Sequence, residues 1–237
     1  MTLAPRTGAV IFARLDSRRL PEKALREVAG RPLLGRVIDR VRQIRNIGRV
    51  ILATSDRAVD DRLQSFASKE GVEVFRGDAD STLNRAVACA RRFSLDVILR
   101  VCGDSPFLLP EVAEELIRVV EEKNFDLATN VSPRTFPVGM SAEAIRTQAL
   151  EIAQESADSA ECHEHCTRYF YLHPGRFNIY SLTRGTNLSS MNFAVDTPAD
   201  LERASQLCQL LGNRVDVAGL PEILATAARL DGAKADS

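Results

Sequence analysis

The sequence predicts an α/β fold with a mainly parallel sheet covered by helices on both faces, and three observations carry that expectation. Short apolar runs at residues 9–13, 50–53, 72–75 and 97–101 alternate with amphipathic stretches through the first 130 residues. The runs lack polar alternation, as strands buried on both faces do. At 237 residues, 45% hydrophobic and 27% charged, the chain has the composition of a globular protein large enough to bury a substantial core. Strands joined through helices imply right-handed crossovers.

The first strand, 9–13, follows Gly8 and opens directly into a basic loop. Gly30-Arg31-Pro32 is a turn, and Pro32 suits the first turn of a helix to about 45. Leu33, Leu34, Val37, Ile38, Val41 and Ile44 form one apolar stripe on it. Strand 50–53, helix 59–69, strand 72–75 and helix 81–93, capped by Asp80 or Ser81, continue the rhythm. Strand 97–101, helix 110–123 and a short strand at 127–129 follow.

From residue 130 the rhythm changes: a loop around 132–137, an extended stretch over 138–145, and helices at 147–155 and 161–172. Strands at 177–182 and 191–195, a helix at 198–211 introduced by Asp196-Thr197-Pro198, and a last helix at 221–230 complete the chain. Residues 1–237 thus read as a single domain, with 130–190 an insertion or arm over a site or a subunit contact, and 231–237 a frayed tail.

Lys plus Arg (31) nearly balance Asp plus Glu (32), which argues against a general nucleic-acid binder and makes any cationic function local. No apolar segment approaches the length of a membrane span, and no secretory signal is apparent. Five scattered cysteines suit reduced thiols, so a cytoplasmic location is expected.

Arg14, Arg18, Arg19 and Lys23 lie just beyond the first strand, at the sheet edge where open α/β folds bind ligands. Leu20-Pro21 stiffens the loop. Thr54-Ser55-Asp56, Gly103-Asp104-Ser105-Pro106 and Val195-Asp196-Thr197-Pro198 also follow strands and face the same edge. Cations for phosphates together with carboxylates suit a nucleoside triphosphate with Mg²⁺. The bland alternatives are a solvated charged loop and helix-capping aspartates, and capping does not preclude metal binding at Asp196. No Gly-rich phosphate loop is present. Cys162-His163-Glu164-His165-Cys166 looks like a zinc cluster, but no second Cys/His pair accompanies it. A substrate contact by His165 is the better expectation. No GxSxG motif supports a serine nucleophile.

Residues 13–23, ARLDSRRLPEK, closely resemble the A-R-x-x-S-x-R-L-P-x-K signature of the sugar cytidylyltransferases, the CMP-Kdo and CMP-N-acetylneuraminate synthetases among them. The nearer resemblance is to the SpsF-like branch of spore coat polysaccharide biosynthesis. Phe75-Arg76-Gly77, residues 100–106, Arg134-Thr135-Phe136-Pro137-Val138-Gly139, Glu164-His165-Cys166-Thr167 and residues 195–201 resemble that branch in the same order. The resemblance implies a three-layer α/β/α, Rossmann-like nucleotidyltransferase fold of the glycosyltransferase-A type. It also implies transfer of CMP from CTP to an acidic or amino sugar, possible acceptors including a nonulosonic acid, with release of pyrophosphate, in a homodimer.

Carried over, Arg14, Arg19, Lys23 and Asp104 would be catalytic, with Asp104 and Asp196 on Mg²⁺. Ala13, Ser17, Asp56 and Arg76 would join Arg14, Arg19 and Lys23 in binding nucleotide, while Arg134, Glu143 and His165 would face the sugar. Arg18 holds a variable position of the motif and is expected to face solvent. Phe12 stands where that branch usually has Gln, and Ser141 where a G-x-D-x-E pattern would place Asp. Two rivals share the fold or the ligand: an enzyme using another nucleotide, either a nucleotidyltransferase or a glycosyltransferase, and a non-catalytic nucleotide-binding regulator.

Overall fold

A computed structural model describes residues 6–45 and 47–235. Seven strands form one sheet: β1 (Thr7–Phe12), β4 (Arg49–Ser55), β5 (Glu73–Gly77), β6 (Val97–Cys102), β7 (Leu127–Thr129), β8 (Glu143–Arg146) and β9 (Ile179–Ser181). Their order is β5-β4-β1-β6-β8-β7-β9. Only β8 runs against the others, being antiparallel to both β6 and β7, so the sheet is mainly parallel, as expected. The basic loop leads into a small hairpin, β2 (Glu27–Val28) with β3 (Arg31–Pro32). Ala29 and Gly30 turn it with φ of 51° and 79°, the left-handed pair that a two-residue hairpin favours.

Alternating strand residues supply two cores. Ala9 and Ile11 of β1, with Leu99 and Val101 of β6, pack toward α1 (Leu33–Val41), α2 (Asp61–Lys69), α4 (Pro110–Lys123), α8 (Pro198–Leu211) and α9 (Leu220–Ala235). Val10 and Ile98 face the other way, toward α3 (Thr82–Arg92), α5 (Thr147–Ser156), α6 (Ala160–Glu164) and α7 (Arg168–Leu172). The result is the three-layer arrangement.

Several boundaries differ from the sequence pattern. Of the extended stretch 138–145 only the four-residue β8 is a strand, because Gly139 adopts φ +86° and Val138 makes an isolated bridge to Asn192. That bridge is also what remains of the strand expected at 191–195. A side chain at Gly139 would place its Cβ 2.2 Å from the Ala194 nitrogen. The helix expected over 161–172 breaks into α6 and α7 where His165 turns extended, at φ −115° and ψ 96°. Residues 130–190, expected as an arm, supply β8 and β9 to the central sheet and α5–α7 to one face, so they are largely body. Asp231, expected to begin a frayed tail, lies within α9; residues 236 and 237 fall outside the described ones.

Candidate active site

The chain leaves β1 toward β4 and β5 on one side and returns to β6 on the other, so a crevice opens where β1 and β6 end side by side, with Phe12 paired to Cys102. Gly103 donates from its nitrogen to Phe12 O at 2.9 Å, and a Cβ there would lie 2.7 Å from that of Ala13. Only glycine lets the two strand ends come this close. The crevice widens into a cleft of about 850 Å³.

The basic loop forms one wall. It is closed by Glu22 N donating to Leu15 O at 3.1 Å and Lys23 N to Leu20 O at 3.2 Å, with Glu22 left-handed at φ 57°. Its root is held by Asp60, a buried carboxylate that accepts from Leu15 N at 2.8 Å and from both the nitrogen and the hydroxyl of Ser55. Arg14 reaches Ala79 O at 2.6 Å, and Ser17 Oγ accepts from Leu20 N at 3.4 Å. Ala13, Arg14, Ser17, Arg19 and Lys23 all line the cleft; exposed Arg18, expected to face only solvent, lines it too.

Lys23 stands at the centre. Its ammonium donates to Asp104 Oδ2 at 2.7 Å, Asp196 Oδ1 at 2.8 Å and Val195 O at 3.1 Å, and Arg19 approaches the same Asp196 oxygen at 3.0 Å. Val195 N donates to Asp104 O at 2.9 Å, tying the two carboxylate-bearing turns together. Burial works to lower the Lys23 pKa, but the charge and hydrogen bond of Asp104, with those of Asp196, outweigh it and raise the pKa above its ordinary value. For Asp196, burial works upward and is outweighed by Lys23 and Arg19, which hold the carboxyl below its usual range.

Asp196 does not cap α8 with its own carboxylate: Thr197 and Asp200 form a capping box, and Asp200 Oδ2 also accepts from Asp196 N at 3.1 Å. That frees the Asp196 carboxylate for the cleft. Two carboxylates sharing one ammonium, beside a cationic loop, are a donor set that fits a hard divalent cation completed by phosphate oxygens. Among the described residues no group of three or more His, Cys, Asp or Glu is placed to hold a metal by itself, those of the Cys162–Cys166 segment included.

Other expected site residues lie elsewhere. Asp56 is exposed and does not line the cleft. Arg76 is spent on protein, donating to Ser55 O, Arg57 O, Asp61 and Gln64, and braces the turn after β4. Arg134 donates to Ser141 Oγ at 3.1 Å, away from the cleft wall, and His165 is exposed and also off it. Glu143 is 1% exposed, with its carboxylate taken up by Arg100, Thr167 and Tyr171. Conversely, Arg57, Arg85 and Arg100 line the cleft without having been singled out. Each sits inside a helix, strand or turn where sequence alone reads a surface charge.

The cytidylyltransferase family model matches residues 9–220. The chain belongs to the cytidylyltransferase family. Such membership makes it a nucleotidyltransferase, and its relatives agree. It is 31% identical over 215 residues to the spore coat polysaccharide biosynthesis protein SpsF of Bacillus subtilis (strain 168), covering 88% of each chain. A cytidylyltransferase structure from Leptospira borgpetersenii superposes with a TM-score of 0.88 at 22% identity, over 98% of this chain and 96% of that one. A CMP:2-keto-3-deoxy-manno-octonic acid synthetase complexed with CTP superposes with a TM-score of 0.67 at 22% identity, covering 86% and 98%. Among the described residues of this cytidylyltransferase family member, no helix is long and apolar enough to cross a membrane.

Proposed function

We propose that the protein transfers CMP from CTP to a sugar hydroxyl with release of pyrophosphate, in polysaccharide or glycoconjugate synthesis. The observation that carries this is the Lys23 ammonium held between Asp104 and Asp196 at the foot of an arginine-bearing loop. Binding of CTP in the related synthetase supports the choice of nucleotide.

The sugar oxygen attacks the α-phosphorus, the bond to the bridging oxygen breaks so that pyrophosphate departs with that electron pair, and the hydroxyl proton is released to solvent as the new P–O bond forms. Negative charge grows on the departing pyrophosphate, so the work of the protein is positioning and cationic stabilisation. Arg14, Arg19 and Lys23 would hold the phosphates, Ala13 and Ser17 would line the nucleotide, and Asp104 and Asp196 would hold Mg²⁺, which would supply Lewis-acid stabilisation of phosphoryl charge there. A homodimer in the cytoplasm belongs to the same proposal, and sedimentation of the purified protein tests the dimer.

Incubation with Mg²⁺, each of the four NTPs and a panel of nonulosonic and amino sugars, followed by pyrophosphate measurement, tests the reaction. Release with CTP alone is expected. Release with another NTP overturns the choice of nucleotide, and tight CTP binding without release on any acceptor overturns catalysis in favour of a regulator.

A further inference from the structure

Arg14, Asp16, Arg57 and Asp80 all line the cleft, and they come from three separate loops. Arg14 and Asp16 belong to the basic loop after β1, Arg57 follows β4, and Asp80 follows β5. These strands are parallel neighbours in the sheet, so their carboxyl ends bring the four charges to one edge. Two cations and two anions meet there.

The contacts close into a ring. Arg14 Nε stands 3.5 Å from Asp16 Oδ1, and the other Asp16 oxygen accepts from Arg57 Nη1 at 3.3 Å. Arg57 Nη2 donates to Asp80 Oδ1 at 2.5 Å, and Arg14 Nη1 donates at 2.6 Å to the carbonyl of Ala79, the residue before Asp80. With Nη1 bonded and Nε beside a carboxylate, the guanidinium plane of Arg14 is held at two points. Among the described residues its Nη2 makes no hydrogen bond, which leaves that donor for a ligand.

The two loops facing the basic one are braced in turn. Arg76 Nη2 donates to Arg57 O at 2.8 Å, and Arg57 N donates to Ser55 Oγ at 3.3 Å. Asp78 accepts from Asn84 Nδ2 at 2.8 Å and from the nitrogens of Asp80 and Ser81 at 2.9 Å each, and these bonds hold its carboxyl below the usual range against the opposing effect of burial. The turn carrying Ala79 O and Asp80 is thereby fixed. A long side chain left free would lose its rotamer freedom on meeting a phosphate, and one already held does not. Asp16 stands at a variable position of the loop signature, so the ring is built from residues that the signature does not specify.

We propose that Arg57 and Asp16 are positioning residues that hold Arg14 ready for the triphosphate, so that breaking the ring weakens CTP binding whichever sign of charge is removed. This rests on the reading in which Arg14 holds the phosphates of CTP. Charge alone gives a different expectation. Removing the Asp16 carboxylate makes the cleft more positive and would tighten a triphosphate, whereas removing the Arg57 guanidinium would loosen it. Under positioning, both changes loosen it.

Calorimetric titration of Mg²⁺·CTP into the wild type, Arg57→Gln and Asp16→Ala reads the difference, with thermal melting to show that each variant is folded. Both variants should raise Kd about 3- to 10-fold, the range open to linked, partly exposed ion pairs. Asp80→Ala, which leaves the contact between Arg57 and Asp16 in place, should act in the same direction and by less. Arg57→Lys keeps a cation between the two carboxylates and should recover part of the loss. In an Arg14→Met background neither Arg57→Gln nor Asp16→Ala should change Kd further, because a residue that acts through Arg14 then has nothing to position. A merely structural role would keep its effect in that background, and such persistence overturns the inference. Tighter CTP binding by Asp16→Ala overturns it as well and makes the effect one of charge. Absence of CTP binding by the wild-type protein overturns the reading on which it rests.

Discussion

Replacing Lys23 by Met removes the ammonium from between Asp104 and Asp196 while keeping the volume of its stem. The two carboxylates are bridged at 2.7 and 2.8 Å, and their side chains are roughly a quarter exposed, whereas that of Lys23 is 16% exposed. Breaking a fully buried pair costs about 3–5 kcal/mol and an exposed one about 0–1, so this partly screened bridge should cost about 2 kcal/mol. For a chain of this size that lowers Tm by about 4–8 °C. The sign follows from the shifts. The depressed Asp196 pKa contributes stability above the unfolded carboxylate value, lost as pH falls through the folded one. The raised Lys23 pKa contributes below the unfolded lysine value, lost as pH rises through the folded one. The deficit of Lys23→Met should therefore be full at pH 7 and shrink below about pH 4, as Asp196 protonates. Mn²⁺ added without nucleotide should restore the lost Tm in the variant and move the wild type much less, because in the wild type the metal competes with the ammonium for the same oxygens. Differential scanning fluorimetry at pH 3 and 7, and at pH 7 with and without Mn²⁺, reads all of this. Equal Tm values for the two proteins at pH 7, or equal Mn²⁺ responses, would refute the reasoning.

Three other outcomes follow from the geometry. Asp104→Ala should lower turnover by at least about 10³-fold with a native circular dichroism spectrum, since the loss falls on charge stabilisation at the reacting phosphate; an unfolded variant would count against that role. Gly139→Ala should lower stability in urea unfolding by about 2 kcal/mol or more, because the left-handed φ and the backbone around Ala194 both oppose a side chain. Asp60→Ala strips Leu15 N and Ser55 of their acceptor and should cost about 2–3 kcal/mol while raising KM for CTP, measured by equilibrium unfolding and initial rates.

Where a local signal decided the structure, the sequence was legible. Helices α4 and α8 begin at Pro110 and Pro198 as read, because proline in the first turn marks its own position, and β7 occupies 127–129 as read. Residues 138–146 were not legible, since a single left-handed glycine and a pairing between distant strands decide that path. The same division holds in the site. Arg14, Arg19 and Lys23 lie together in one loop, and Asp104 and Asp196 directly follow apolar runs, so their convergence could be read from position. Asp60, Arg85 and Arg100 could not, because what distinguishes them is burial against partners tens of residues away. Arg76 misled for the complementary reason: its neighbours along the chain suggested a ligand, but Asp61 and Gln64 were already in reach.

The hydrogen bond from Val195 N to Asp104 O has a bearing on how the protein is made. During synthesis the loop with its arginines and the strand before Asp104 emerge early, whereas Asp196 arrives only with the last fifth of the chain. A growing polypeptide thus carries half of the paired carboxylates and cannot assemble the place where they meet. Lys23 reaches both Asp104 and Asp196 only once the segment carrying Asp196 has packed beside the first strand's loop.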